Sequence, residues 1–130
     1  ELRGEARLDE LDLERAVAFY VEVVGCSLER RRDDLGLIHL RAGTSMIDLV
    51  HTTGRLGLRG GAAPDAGARN VDHICLRIAP FDEAALVAHL ASHGLAPQGP
   101  AESNFGAQGE GDSLYFADPE GNVVELKARL

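Results

Sequence analysis

Cysteine is scarce in this chain, cations are outnumbered, and no apolar stretch is long. Each shortage removes a class of function. The two cysteines, Cys26 and Cys75, stand far apart and form no CxxC pair. They read as two reduced thiols of a cytosolic protein, not as a disulfide framework. Lys and Arg number 13 against 21 Asp and Glu, for a net charge of −8 at pH 7. A nucleic-acid partner calls for clustered Lys and Arg. The only basic run, Arg30-Arg31-Arg32, reads as the end of an exposed strand, so no nucleic acid is expected. No apolar run approaches the roughly 18 residues a membrane helix needs. The opening ELRGEARLDEL lacks the apolar core of a signal peptide. The expectation is a cytoplasmic protein with no membrane partner. The glycines of 54–69 are not followed by Lys-Ser or Lys-Thr, which argues against a phosphate-binding loop. No Ser-His-Asp or Cys-His arrangement stands out.

What remains is enough for one domain. The chain has 130 residues, of which 45% are hydrophobic, so a real core can be buried. DLERAVAFYVEVVG (12–25) places Leu13, Ala16, Val17, Tyr20, Val21 and Val24 on one face at helical spacing. Asp12 is the expected N-cap and Gly25 the stop. Residues 5–11 precede this helix as a strand, and 27–32, 36–41 and 45–51 follow it as three more. FDEAALVAHLASHG (81–94) predicts a second helix ending at Gly94. Strands are expected at 71–79, near 95–98, at 113–117 and at 122–128. The glycine-rich NFGAQGEG (104–111) reads as a loop, a lid or a plain connector. DPEG (118–121) suits a type I turn.

The two halves repeat one another. The shift that lays DLERAV (12–17) on PFDEAA (80–85) also lays Glu5 on His73. At the other end SMIDLV (45–50) pairs with NVVELK (122–127), and Asp48 falls on Glu125. The order is β-α-β-β-β written twice, and such repeats usually build one pseudo-symmetric body. The expected organisation is a single α+β domain over 1–130. A first module covers 1–53, a Gly/Ala-rich linker or lid 54–69, and a second module 70–130.

Strand side chains alternate between faces. Val124 and Leu126 share one face of the last strand, and Val123, Glu125 and Lys127 the other. Ile47 and Leu49 oppose Met46, Asp48 and Val50. Ile74, Leu76 and Ile78 oppose Val71, His73, Cys75 and Arg77. If the apolar faces pack on the helices, Asp48, His73 and Glu125 all turn the other way. Two pseudo-equivalent sheets facing each other there would enclose a cleft with one imidazole and several carboxylates. One His with oxygen donors suits a divalent metal such as Mn, Fe, Co, Ni or Zn. Taken singly, each of these residues reads equally well as a polar group on an exposed strand face.

With these motifs in place the chain resembles the vicinal oxygen chelate superfamily, the glyoxalase, bleomycin-resistance and extradiol-dioxygenase group. The resemblance rests on DLERAVAFYVEVVG (12–25), NVDHICLRI (70–78) and SLYFADPEGNVVELK (113–127). It implies two βαβββ modules whose curved mixed sheets form a cleft, with helices outside. It implies metal ligands on the first and last strands of each module: Glu5 and Asp48, then His73 and Glu125. The first-strand position is usually His or Gln in the family, so Glu5 departs from the pattern. Asp48 is a shorter acid than the Glu common at its place. The implied function is a small metal-dependent lyase or isomerase. The ion would chelate two neighbouring substrate oxygens and stabilise an enediolate or oxyanion, with Glu125 moving the proton. The alternatives are a metal-free antibiotic- or small-molecule-binding protein, for which the acidic balance suits a cationic ligand, and a ring-cleavage dioxygenase-like enzyme. The last normally wants two His. The resemblance also implies a homodimer and a small-molecule substrate.

Other residues complete the reading. His39, Arg41, Asn70 and Phe105 are candidate substrate contacts, with Arg69 and Arg77 nearby in the sequence. His51 faces away from Asp48 by parity. His89 and His93 have a metal-ligand spacing, but they sit in the last turns of a helix, where a partly charged His suits the dipole. Cys75 reads as a small packing residue beside His73.

Overall fold

The computed structural model describes residues 12–63 and 67–130. The chain divides into two compact units, Glu1–Arg69 and Asn70–Leu130. Glu5 and the expected strand 5–11 lie outside the described residues.

In the first unit, helix α1 (12–24) starts as an α-helix and widens to π-helical hydrogen bonding over Phe19–Val24. Asp12 lies inside the helix, not at its cap, and is ion-paired with Arg15 one turn on. Phe19, absent from the predicted face, is buried beside Tyr20 with the two rings edge to face at 5.0 Å. Gly25 ends the helix at φ 95°, a left-handed conformation that costs glycine little. Three antiparallel strands follow in the order β1 (Ser27–Arg32), β2 (Leu37–Ala42), β3 (Ser45–Val50). Ile38 faces Leu49 and Leu40 faces Ile47 across β2 and β3, forming the apolar side. His39 faces Asp48 and Arg41 faces Met46 on the other. The basic run on β1 is largely neutralised locally: Arg31 pairs with Glu14, and Arg32 makes a two-pronged contact with Asp34.

The second unit has the complete β-α-β-β-β order: β4 (His73–Ile78), α2 (Glu83–Ser92), β5 (Glu102–Gly106), β6 (Gly109–Ala117) and β7 (Val123–Ala128). Asp82 caps α2 by accepting from Ala85 N–H at 3.1 Å. The sheet order is β4-β7-β6-β5; β4 and β7 run parallel and the other pairs antiparallel. The fold class is α+β, with the four-stranded sheet mixed. The three described strands of the first unit follow the neighbour order of β5, β6 and β7.

Two expectations are corrected. Residues 95–98 form no strand, although Gln98 N–H donates to Tyr115 C=O at 2.8 Å. The stretch 104–111 is not a loop but the hairpin of β5 and β6, with a turn at Ala107 and Gln108. Among its glycines, Gly106 marks a close approach. A Cβ there would stand 2.5 Å from Lys127 Cε.

Candidate functional site

Leu114, Phe116, Val124 and Leu126 are buried on one face of the four-stranded sheet. Alternation then sends Ser113 and Tyr115 of β6, and Glu125 and Lys127 of β7, to the opposite face. The register sets Tyr115 and Cys75 on either side of Glu125, and Ser113 and Arg77 on either side of Lys127. Two residues before Cys75 along β4, His73 shares its face.

Glu125 is 5% exposed. Its Oε2 accepts from Ser113 Oγ at 2.6 Å and its Oε1 faces His73 Nε2 at 3.0 Å. Burial raises the pKa of this carboxyl. Hydrogen bonds from Ser113, Tyr115 and Cys75, with the nearby His73, outweigh that cost and hold it below its ordinary value. The same carboxylate, after burial itself, pushes the Tyr115 hydroxyl and the Cys75 thiol up. The His73 ring stands edge to face on Tyr115 at 5.4 Å.

The other nitrogen of His73 decides how the pair is to be read. Nδ1 lies 2.7 Å from Asp72 Oδ2, and a carboxylate only accepts, so Nδ1 carries a proton. In a neutral ring Nε2 would then aim a lone pair at Glu125 Oε1. Two lone pairs at 3.0 Å repel, so a positive centre belongs between them. A proton supplies one: the hydrogen bond to Asp72, against partial desolvation and aided by the charge of Glu125, raises the His73 pKa. A metal ion supplies the other. Two donors about 2.1 Å from one ion at a right angle stand about 3.0 Å apart. The imidazole-and-carboxylate set, each member already oriented by a partner, fits two positions around a first-row divalent metal. Among the described residues, no group of three or more His, Cys, Asp and Glu is arranged to hold a metal ion.

The other predicted residues are placed as follows. Asp48, with its side chain 50% exposed, lies in the first unit and is bonded to His39, Oδ1 to Nδ1 at 2.8 Å. Arg41 is 3.4 Å from Glu29. Asn70 is exposed at the start of the second unit. Phe105 is 81% exposed and, by alternation with Asn104 and Gly106, sits on the sheet face opposite Glu125. Glu5 is outside the described residues. Sequence reasoning missed Ser113 and gave Lys127 no task, although parity already put Lys127 on the face of Glu125. It also missed Asp118, which is buried and accepts from Glu120 N–H, Asn122 N–H and the Asn122 amide, fixing the turn before β7.

Residues 11–126 match the model of the Glyoxalase/Bleomycin resistance protein/Dioxygenase superfamily. The chain belongs to this superfamily. No curated protein matches the sequence significantly. Among solved structures, the superfamily chain is similar to a virulence protein from Salmonella typhimurium, with TM-score 0.70, 20% identity, and 90% of this chain and 87% of that one covered. It is similar to lactoylglutathione lyase from Agrobacterium tumefaciens, with TM-score 0.60, 20% identity, and 90% and 85% covered. It is also similar to an antibiotic-binding protein from Streptomyces sp. CB03234, with TM-score 0.62, 22% identity, and 92% and 88% covered. These likenesses establish the fold of the superfamily chain.

Proposed function

We propose that this superfamily chain is a small metal-dependent, glyoxalase-like lyase or isomerase acting on a substrate with two neighbouring oxygens. The supporting observation is the 3.0 Å approach of His73 Nε2 to Glu125 Oε1, with the far side of each group already held by Asp72 or Ser113. His73 and Glu125 would hold one divalent ion, of the Ni, Mn, Zn, Co or Fe kind. Glu5 and Asp48 are the first-unit positions expected to complete the set. The ion, when bound, supplies Lewis acidity toward the substrate oxygens.

The chain's own groups account for the rest. Glu125 stays ionised because its hydrogen bonds outweigh its burial, so it can accept a proton from a carbon next to a carbonyl. Its burial keeps bulk water from competing for that proton. The Ser113 bond keeps Oε2 occupied while Oε1 faces the reaction. Tyr115, held protonated by burial and by Glu125, is a hydrogen-bond donor at the same face. We take His39 and Arg41 as first-unit substrate contacts, with Asn70 and Phe105 less favoured by their exposure. A cytoplasmic homodimer completes the reading, checked by sedimentation. Elemental analysis of untagged protein tests its core: about one first-row metal per chain supports it, and a folded protein that stays empty after incubation with Ni²⁺, Mn²⁺, Zn²⁺ and Fe²⁺ contradicts it.

A second reading has its own support. A protonated His73 between Asp72 and Glu125 needs no metal, and the antibiotic-binding neighbour has the same fold. On that reading the chain sequesters a small molecule. Empty protein that binds a cationic antibiotic would favour it.

A further inference from the structure

Lys127 is 3% exposed, which is rare for an ammonium group. Its Nζ donates to Asn104 C=O, to Gly111 C=O at 3.0 Å and to Ser113 Oγ at 3.4 Å. An ammonium has three N–H bonds, and these acceptors use all three. Lys127 therefore has no free donor for a substrate anion.

We propose that Ser113 and Lys127 are a positioning pair that fixes the rotation of the Glu125 carboxylate. The inference rests on the reading of Glu125 as the metal- and proton-handling group. Lysine only donates, so its bond to Ser113 occupies a lone pair of the hydroxyl. The single hydroxyl proton is then committed to Glu125 Oε2, 2.6 Å away. With Oε2 filled, Oε1 is the oxygen left to face His73. A serine without the lysine could turn its proton elsewhere, and the carboxylate could swing.

The sheet is built around this chain of contacts. Ser113 stands directly across from Lys127, and Glu125 precedes Lys127 by two residues on the same face. The lysine stem crosses β6 to reach the backbone of β5, and glycine makes the crossing possible. A Cβ on Gly106 would lie 2.5 Å from Lys127 Cε, whereas one on Gly111 would meet that carbon only at an ordinary contact of 3.8 Å. Ser113 is itself 1% exposed, so no water competes for its bonds.

The test uses the full chain with S113A, S113T and K127M. Ni²⁺ affinity is measured by calorimetry, and the His73 imidazole nitrogens are followed by ¹⁵N NMR in metal-free protein. S113A is expected to weaken Ni²⁺ binding about 10- to 100-fold, the usual effect of losing a group that orients a ligand. It is also expected to move the His73 resonances. S113T keeps the hydroxyl and should restore both, a rescue that a merely structural role does not require. K127M should resemble S113A; if it does not fold, the two serine variants decide. Wild-type affinity and unmoved resonances in S113A would overturn the proposal. If the wild type binds no Ni²⁺, the metal reading fails separately. Positioning is then decided by the imidazole: a shift in S113A supports it and no shift overturns it.

Discussion

His73 is held between two carboxylates of very different standing. Asp72 is 95% exposed, whereas Glu125 is 7% exposed at its side chain. Together they raise the His73 pKa, which ties metal-free stability to pH. A raised pKa means that the fold favours the protonated ring. The stabilisation is complete below the unfolded value of about 6.5 and is lost as pH rises through the higher folded value. Urea midpoints of the wild type and H73Q should therefore differ most in mildly acidic solution and converge in alkali. A gap that widens with rising pH would contradict this assignment. Asp118 carries a different weight. It is buried with three bonds to its carboxylate, and D118A removes all three. The expected loss is about 1–3 kcal/mol in urea unfolding, with metal affinity little changed.

At the scale of elements, much of the fold was legible. Helical spacing marked both helices, and the Gly25 and Gly94 stops fall at positive φ as expected. Alternation placed His73 and Glu125 on one face because β4 and β7 keep a strict two-residue period. The hairpin of β5 and β6 was not legible. Three glycines in eight residues look like a flexible loop, yet Gly109 takes the positive φ of the hairpin turn and Gly106 lies against the Lys127 stem. G106A tests that contact. Lys127 is pinned at its ammonium, so its Cε cannot retreat freely from the new methyl group. A cost of about 1–3 kcal/mol is expected, the usual effect of overpacking. Unchanged stability would mean that the lysine has another path. The buried Phe19 was missed although it stands three residues after the buried Ala16, because the buried stripe lies to one side of the apolar stripe that the sequence marks.

At the scale of the whole molecule, strand order is what makes the site. His73 and Glu125 are 52 residues apart, yet they meet because the first strand of the second unit pairs in parallel with its last. That pairing requires the module to fold completely, so the donor pair exists only in the finished unit. The first unit shows the matching neighbour order in its three described strands, with Asp48 opposite His39 in place of Glu125 opposite Tyr115. The repeat was readable because it preserved the order of elements. It could not show that Asp48 is bonded to an imidazole of its own unit, since that depends on the register of two strands.

The most direct test of the account is a Ni²⁺ titration of untagged protein by calorimetry, in buffers of differing ionisation enthalpy, beside H73A and E125A. The account predicts about one ion per chain in the wild type. Proton release should accompany binding below the raised His73 pKa, because the ion takes the place of the proton between Nε2 and Oε1. Binding should be lost in both variants. Binding that survives in H73A and E125A, or a folded wild type that takes up no ion, would contradict it.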